Sequence, residues 1–135
     1  MKPNVDTELA TRIIRYRHDP VAFVREVIGV EEIYGYQAEV LRALAGQPRV
    51  KIAWRAGRGV GKSSLCAWAV LWHTFLFYES RTVTTASNWR QVERILWPEI
   101  HKWESRVDYS KLGFERSSID VQKIGLIVAD QWLSL

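Results

Sequence analysis

A chain of 135 residues is one domain at most, and 47% apolar content with seven tryptophans is enough for a real core. Nineteen basic side chains against fifteen acidic leave a net charge of +4, which suits a nucleic-acid partner and equally well an ordinary solvated surface. The single cysteine, Cys66, excludes an internal disulfide framework and fits a reducing compartment.

The N-terminus, Met1-Lys2-Pro3-Asn4, has no apolar stretch of the kind a secretory signal needs. A first helix is predicted over residues 7–18, with Thr7 as N-cap and Leu9, Ile13 and Tyr16 on one face. Arg12, Arg15 and Arg17 fall on its other side, as a solvated basic face or as DNA phosphate contacts. Asp19-Pro20 restarts the chain as N-cap and N1 of a short second helix. Phe23, Val24, Val27 and Ile28 form its apolar side, and Gly29 stops it. Tyr34-Gly35-Tyr36-Gln37 leads into a third helix from Ala38 to Ala45, with Val40, Leu41 and Leu44 facing inward. Gly46-Gln47-Pro48 ends it.

The next stretch organises the rest. Val50-Lys51-Ile52-Ala53-Trp54 reads as a strand, and Arg55-Ala56-Gly57-Arg58-Gly59-Val60-Gly61-Lys62-Ser63 follows as a glycine-rich loop that opens an apolar helix. That order is the context of a phosphate-binding P-loop. Gly57, Gly59 and Gly61 let backbone N–H groups approach phosphate oxygens, and the helix beginning near Lys62 adds the positive end of its dipole. Lys62 would reach the β- and γ-phosphates, and the Ser63 hydroxyl would ligate Mg²⁺. The first glycine of the Walker A pattern is replaced by Ala56. Residues from Ser64 to Tyr78 are apolar almost all round, so a buried helix is expected, with Cys66 as a buried structural thiol. His73 and Thr74 interrupt that stretch, and it falls short of the ~20 residues a membrane span needs. The chain is therefore expected to be soluble and cytoplasmic.

Arg81 to Ala86 is β-rich and reads as a second strand, parallel to the first, which would make residues 50–86 a βαβ unit. Asn88 with Gln91 forms a variant capping box for a helix on which Trp89, Val92, Leu96, Ile100 and Trp103 recur at core spacing. Pro98 should kink or split it. Ser117–Val121 and Leu126–Ala129 read as strands of a hairpin through Lys123-Ile124-Gly125. Hydrolysis needs an acid at the end of a second apolar strand to hold the Mg²⁺ shell, and Asp130 is the one candidate. An antiparallel hairpin and the following Gln131 argue against it. His18, His73 and His101 lack ligand spacing, so no zinc site is expected.

With these residues in place, the chain resembles the N-terminal part of the large terminase subunit, the ATPase of tailed-bacteriophage DNA packaging. Asp19-Pro20-Val21-Ala22-Phe23-Val24 with Gly29 looks like the family's first helix, and Tyr36-Gln37 resembles its adenine-recognising Q motif. Gly57-Arg58-Gly59-Val60-Gly61-Lys62-Ser63 is similar to the terminase Walker A variant, which sets an arginine four residues before the lysine. Thr84-Thr85-Ala86-Ser87 and Gln91 look like the segment after the family's second strand. The resemblance implies an α/β fold, a P-loop NTPase with a parallel-sheet core flanked by helices. Residues 1–49 would be an N-terminal helical segment carrying the Q motif, and residues 50–135 a partial ATPase core.

The Walker B Asp-Glu pair would lie past Leu135, with Trp132 ahead of it, and the nuclease domain would be missing. ATP and Mg²⁺ are the implied cofactors. Tyr36, Gln37 and the loop from Ala56 through Ser64 are the implied binding residues, and Lys62 and Arg58 the catalytic ones, Arg58 as an arginine finger. Double-stranded DNA, the terminase small subunit and the portal protein are the implied partners, with homo-oligomerisation in the motor and a phage- or prophage-encoded protein in the host cytoplasm. A non-catalytic remnant that at most binds nucleotide and a helicase-like P-loop ATPase remain the alternatives.

Overall fold

The structure is a computed structural model, and it describes residues 5–54, 61–77, 82, 84 and 92–113. Helix α1 (Val5–His18) is followed by a one-residue break at Asp19 and by α2 (Pro20–Phe23), which widens into a π-helical turn, Val24–Ile28. Asp19 caps α2 as its sequence demands: Oδ1 accepts the Ala22 N–H at 3.2 Å, and Pro20 takes the first turn, where no N–H is needed. Gly29 ends the π turn at φ 80°, a left-handed conformation that glycine adopts without a Cβ penalty. Thr7 lies inside α1 and not at its cap.

Helix α3 (Gly35–Ala45) begins earlier than its apolar pattern, because the Tyr34 N–H finds an acceptor in Gln37 Oε1 at 3.1 Å. Helix α4 (Lys62–Leu76) opens directly after Gly61. A second π-helical turn, Val92–Leu96, runs into α5 (Trp97–Glu104), and a 3₁₀ turn, Tyr109–Lys111, follows. Pro98 falls in the first turn of α5, where a missing N–H costs least, and the backbone at Leu96 stays helical at φ −71° and ψ −48°, so the expected split is not seen there.

The packing is helix on helix. α4 packs most extensively on α5 and also touches α1, α2 and α3. Its buried side, Leu65, Ala67, Trp68, Leu71, Trp72 and Leu76, joins one core with Tyr16, Phe23, Val27, Leu41 and Trp103. Aromatic rings meet edge to face across the helices: Trp68 on Trp103 at 5.4 Å and Tyr16 on Phe23 at 6.1 Å. The Trp72 indole donates to the Tyr16 carbonyl at 2.9 Å, which fixes α4 against the end of α1. The Asp108 N–H donates to the Val27 carbonyl at 2.8 Å and so draws the tail onto the π turn.

The α/β expectation is overturned. Among the described residues there is no β-strand, and so no parallel sheet. Residues 50–54 are irregular, and Val50 and Ile52 stay 37% and 38% exposed. Thr82 and Thr84 are also outside any strand. The physical reason is partnership. A parallel strand needs a hydrogen-bonded neighbour and helices over both faces. Among the described residues the first expected strand has no such neighbour, while α4 spends its apolar side on other helices. Cys66 is a second correction, because it is exposed on α4 and not buried. The expected strands at 117–121 and 126–129, with Trp89, Asn88, Gln91, Asp130 and Trp132, lie outside the described residues.

Candidate functional site

Of the sequence-predicted site, Ala56 to Val60, including Gly57, Arg58 and Gly59, lie outside the described residues. Tyr36, Gln37 and Gly61 through Ser64 are described. Gly61 adopts φ 77° and ψ 24°, the left-handed geometry that turns the chain into α4. Lys62 is the first helical residue and is exposed, and it pairs with no carboxylate among the described residues. Ser63 and Ser64 are half-buried on the first turn. The N–H groups of that turn have no carbonyl inside the helix to bond, and the helix dipole gives them partial positive charge. The arrangement can therefore receive an anion.

Two side chains hold this helix start from either side. Gln37, 2% exposed, donates from Nε2 to the Gly61 carbonyl at 3.0 Å. Ser64 Oγ donates to Glu99 Oε1 at 2.8 Å, and the Trp103 indole donates to the same oxygen at 3.0 Å. Lys102 Nζ lies 3.7 Å from that carboxylate. Burial pushes the Glu99 carboxyl up, but the hydrogen bonds from Ser64 and Trp103 and the Lys102 charge outweigh it and hold the pKa below the ordinary value. Sequence reading missed Glu99. Its one signal was an acid in the first turn behind Pro98. Only the packing of α5 on α4 brings it to Ser64.

The two residues of the Tyr36-Gln37 pair part company. Tyr36 is 39% exposed and joins an open aromatic row, stacked on Tyr34 at 5.7 Å and tilted toward Trp54 at 6.0 Å. Gln37 faces inward, with its amide bonded at both ends. The α1 arginines are also committed. Arg15 pairs with Glu26 at 2.7 Å, Arg12 Nη1 donates to the Lys111 carbonyl at 3.4 Å, and Arg17 donates to the Leu76 carbonyl and lies over the Phe77 ring.

His73 is bonded to Thr82 Oγ1 at 2.8 Å, and burial pulls its pKa down. No cluster of three or more metal-ligating side chains occurs among the described residues, and none of their helices is long and apolar enough to cross a membrane. Comparison with family models, curated proteins and solved structures yields no match.

Proposed function

We propose that residues 56–64 bind the phosphates of ATP with Mg²⁺, and that the chain is the ATP-binding portion of a terminase-like DNA-packaging motor. One junction carries the reading: a Gly-Lys-Ser in which the glycine is left-handed, the lysine is exposed and unpaired among the described residues, and the helix begins at the lysine. Lys62 and the loop amides neutralise phosphate charge, and the Ser63 hydroxyl is the protein's ligand to Mg²⁺. Arg58 sits four residues before Lys62 in sequence and stabilises charge on the transferred phosphoryl group as an arginine finger. Tyr36 offers a ring face to the base. The packaging role, with double-stranded DNA, small subunit and portal as partners, is supported by the order and spacing of the Asp19-Pro20, Tyr36-Gln37 and Gly-Lys-Ser motifs.

The test is titration with a fluorescent ATP analogue and Mg²⁺, alongside phosphate release with and without double-stranded DNA. Lys62→Ala removes a charge-assisted hydrogen bond worth about 1.5–3 kcal/mol, so the Kd is expected to rise by roughly one to two orders of magnitude. Unchanged affinity in that variant would refute the phosphate site. Tight binding with no phosphate release, DNA present or absent, would leave a nucleotide-binding protein without a motor.

A further inference from the structure

Gln37 and Glu104 are the buried polar side chains among the described residues, and the bonds of Gln37 reach in two directions. Oε1 accepts the Tyr34 N–H at 3.1 Å, which is the return half of a capping box and closes the start of α3. Nε2 donates to the Gly61 carbonyl at 3.0 Å, and this second bond does nothing for α3. It falls on the left-handed residue just before Lys62. The same carbonyl accepts the first helical bond of α4, from the Leu65 N–H at 3.0 Å. Both of its lone pairs are then used, and the carbonyl is fixed from two sides.

The consequence follows from peptide geometry. The Gly61 C=O and the Lys62 N–H belong to one planar unit and point in opposite directions. A side chain that pins the oxygen therefore aims the first amide of α4. The contact is close: a Cβ built on Gly61 would come within 2.3 Å of Gln37 Nε2.

Building on the phosphate-site reading above, we propose that Gln37 is a positioning residue for the phosphates, holding the Gly61–Lys62 peptide in register, and that it does not read the nucleotide base. An amide that reads adenine must present its spare N–H and lone pair to the base, and Gln37, already bonded at both ends, is only 2% exposed. Ligands that share a polyphosphate and differ in the base, or lack one, then depend on Gln37 alike.

The experiment measures Kd for ATP, GTP and inorganic tripolyphosphate, each with Mg²⁺, on the full chain and on Gln37→Glu and Lys62→Ala. A carboxylate at 37 can accept from Tyr34 but has no proton for the Gly61 oxygen. Affinity for all three ligands is expected to fall together by about tenfold, one hydrogen bond's worth. Acidification from about pH 7.5 to about pH 5 returns that proton to the buried carboxyl, so the tripolyphosphate affinity of the variant is expected to recover relative to wild type. Where Gln37→Glu gives no cooperative melt, Gln37→Met, apolar and of similar length, is read in its place for the three affinities.

A loss confined to ATP would return Gln37 to base recognition and overturn the proposal, as would unchanged affinity for all three ligands. If Lys62→Ala loses tripolyphosphate affinity while the Gln37 variant keeps it, only the Gln37 role is wrong. If the wild type itself binds no polyphosphate, the phosphate-site reading is wrong and the Gln37 role falls with it.

Discussion

The corner built by α1 and α2 and the junction where α3 meets α4 use polar side chains in opposite ways. In the corner, each arginine of the basic face is committed to the protein itself, to Glu26 or to the Lys111 and Leu76 carbonyls. At the junction the polar groups surround a lysine and leave it unpaired among the described residues. Gln37 braces the backbone before it, and Glu99 grips Ser64 behind it. A cation bonded to its own chain is a clamp, whereas a cation whose neighbours are held and whose own charge is open is equipped to meet an anion. Under the proposed function, the first arrangement is scaffold and the second is the site.

Substitutions at the two regions should therefore fail in different assays. The largest effect is expected at Arg58: where the chain with DNA releases phosphate, Arg58→Ala should lower that rate by ~10³–10⁵. An unchanged rate would remove the arginine-finger role. Phe23→Ala, at a position with 0% exposure in the corner, should cost about 3–5 kcal/mol in chemical denaturation and leave nucleotide affinity of the folded fraction intact. Arg15→Ala breaks a bridge whose side chains are 56% and 36% exposed, so about 0.2–1 kcal/mol is expected, shrinking as salt is added.

Glu99 sharpens the comparison through pH. Its folded-state pKa is lowered, so its contribution is present above the unfolded value near 4.5 and is lost as pH falls through the folded one. Thermal melts should show wild type losing stability relative to Glu99→Gln below about pH 4.5. Parallel curves would mean that the Ser64 and Trp103 bonds do not favour the charged form.

Much of the helical scaffold could be read from local pattern. Asp19-Pro20 capped α2, Gly29 stopped the π turn, and Tyr16, Leu41 and Trp103 took the core positions that helical spacing assigned. The strand at 50–54 failed for a reason that spacing does not contain. Val50 and Ile52 have the β preference, but a strand exists only where another segment pairs with it. Cys66 failed similarly: its neighbours are apolar, yet the way α4 rolls onto α5 leaves it outside. At the proposed site, the start of α4 at Lys62 was legible because a left-handed glycine at a helix start is a local feature. Glu99 was not, since its partner Ser64 is 35 residues away.

Sequence alone set the start of α2 and the stop at Gly29, and it placed a glycine, a lysine and a serine at the head of α4, because caps, turns and apolar periodicity act over a few residues. Tertiary structure decided what those elements do to one another. It turned Gln37 inward onto the Gly61 carbonyl, tied the α1 arginines to distant oxygens, and left residues 50–54 outside any strand. Each of those outcomes depends on which surfaces meet across long stretches of chain, and no window of neighbouring residues carries that information.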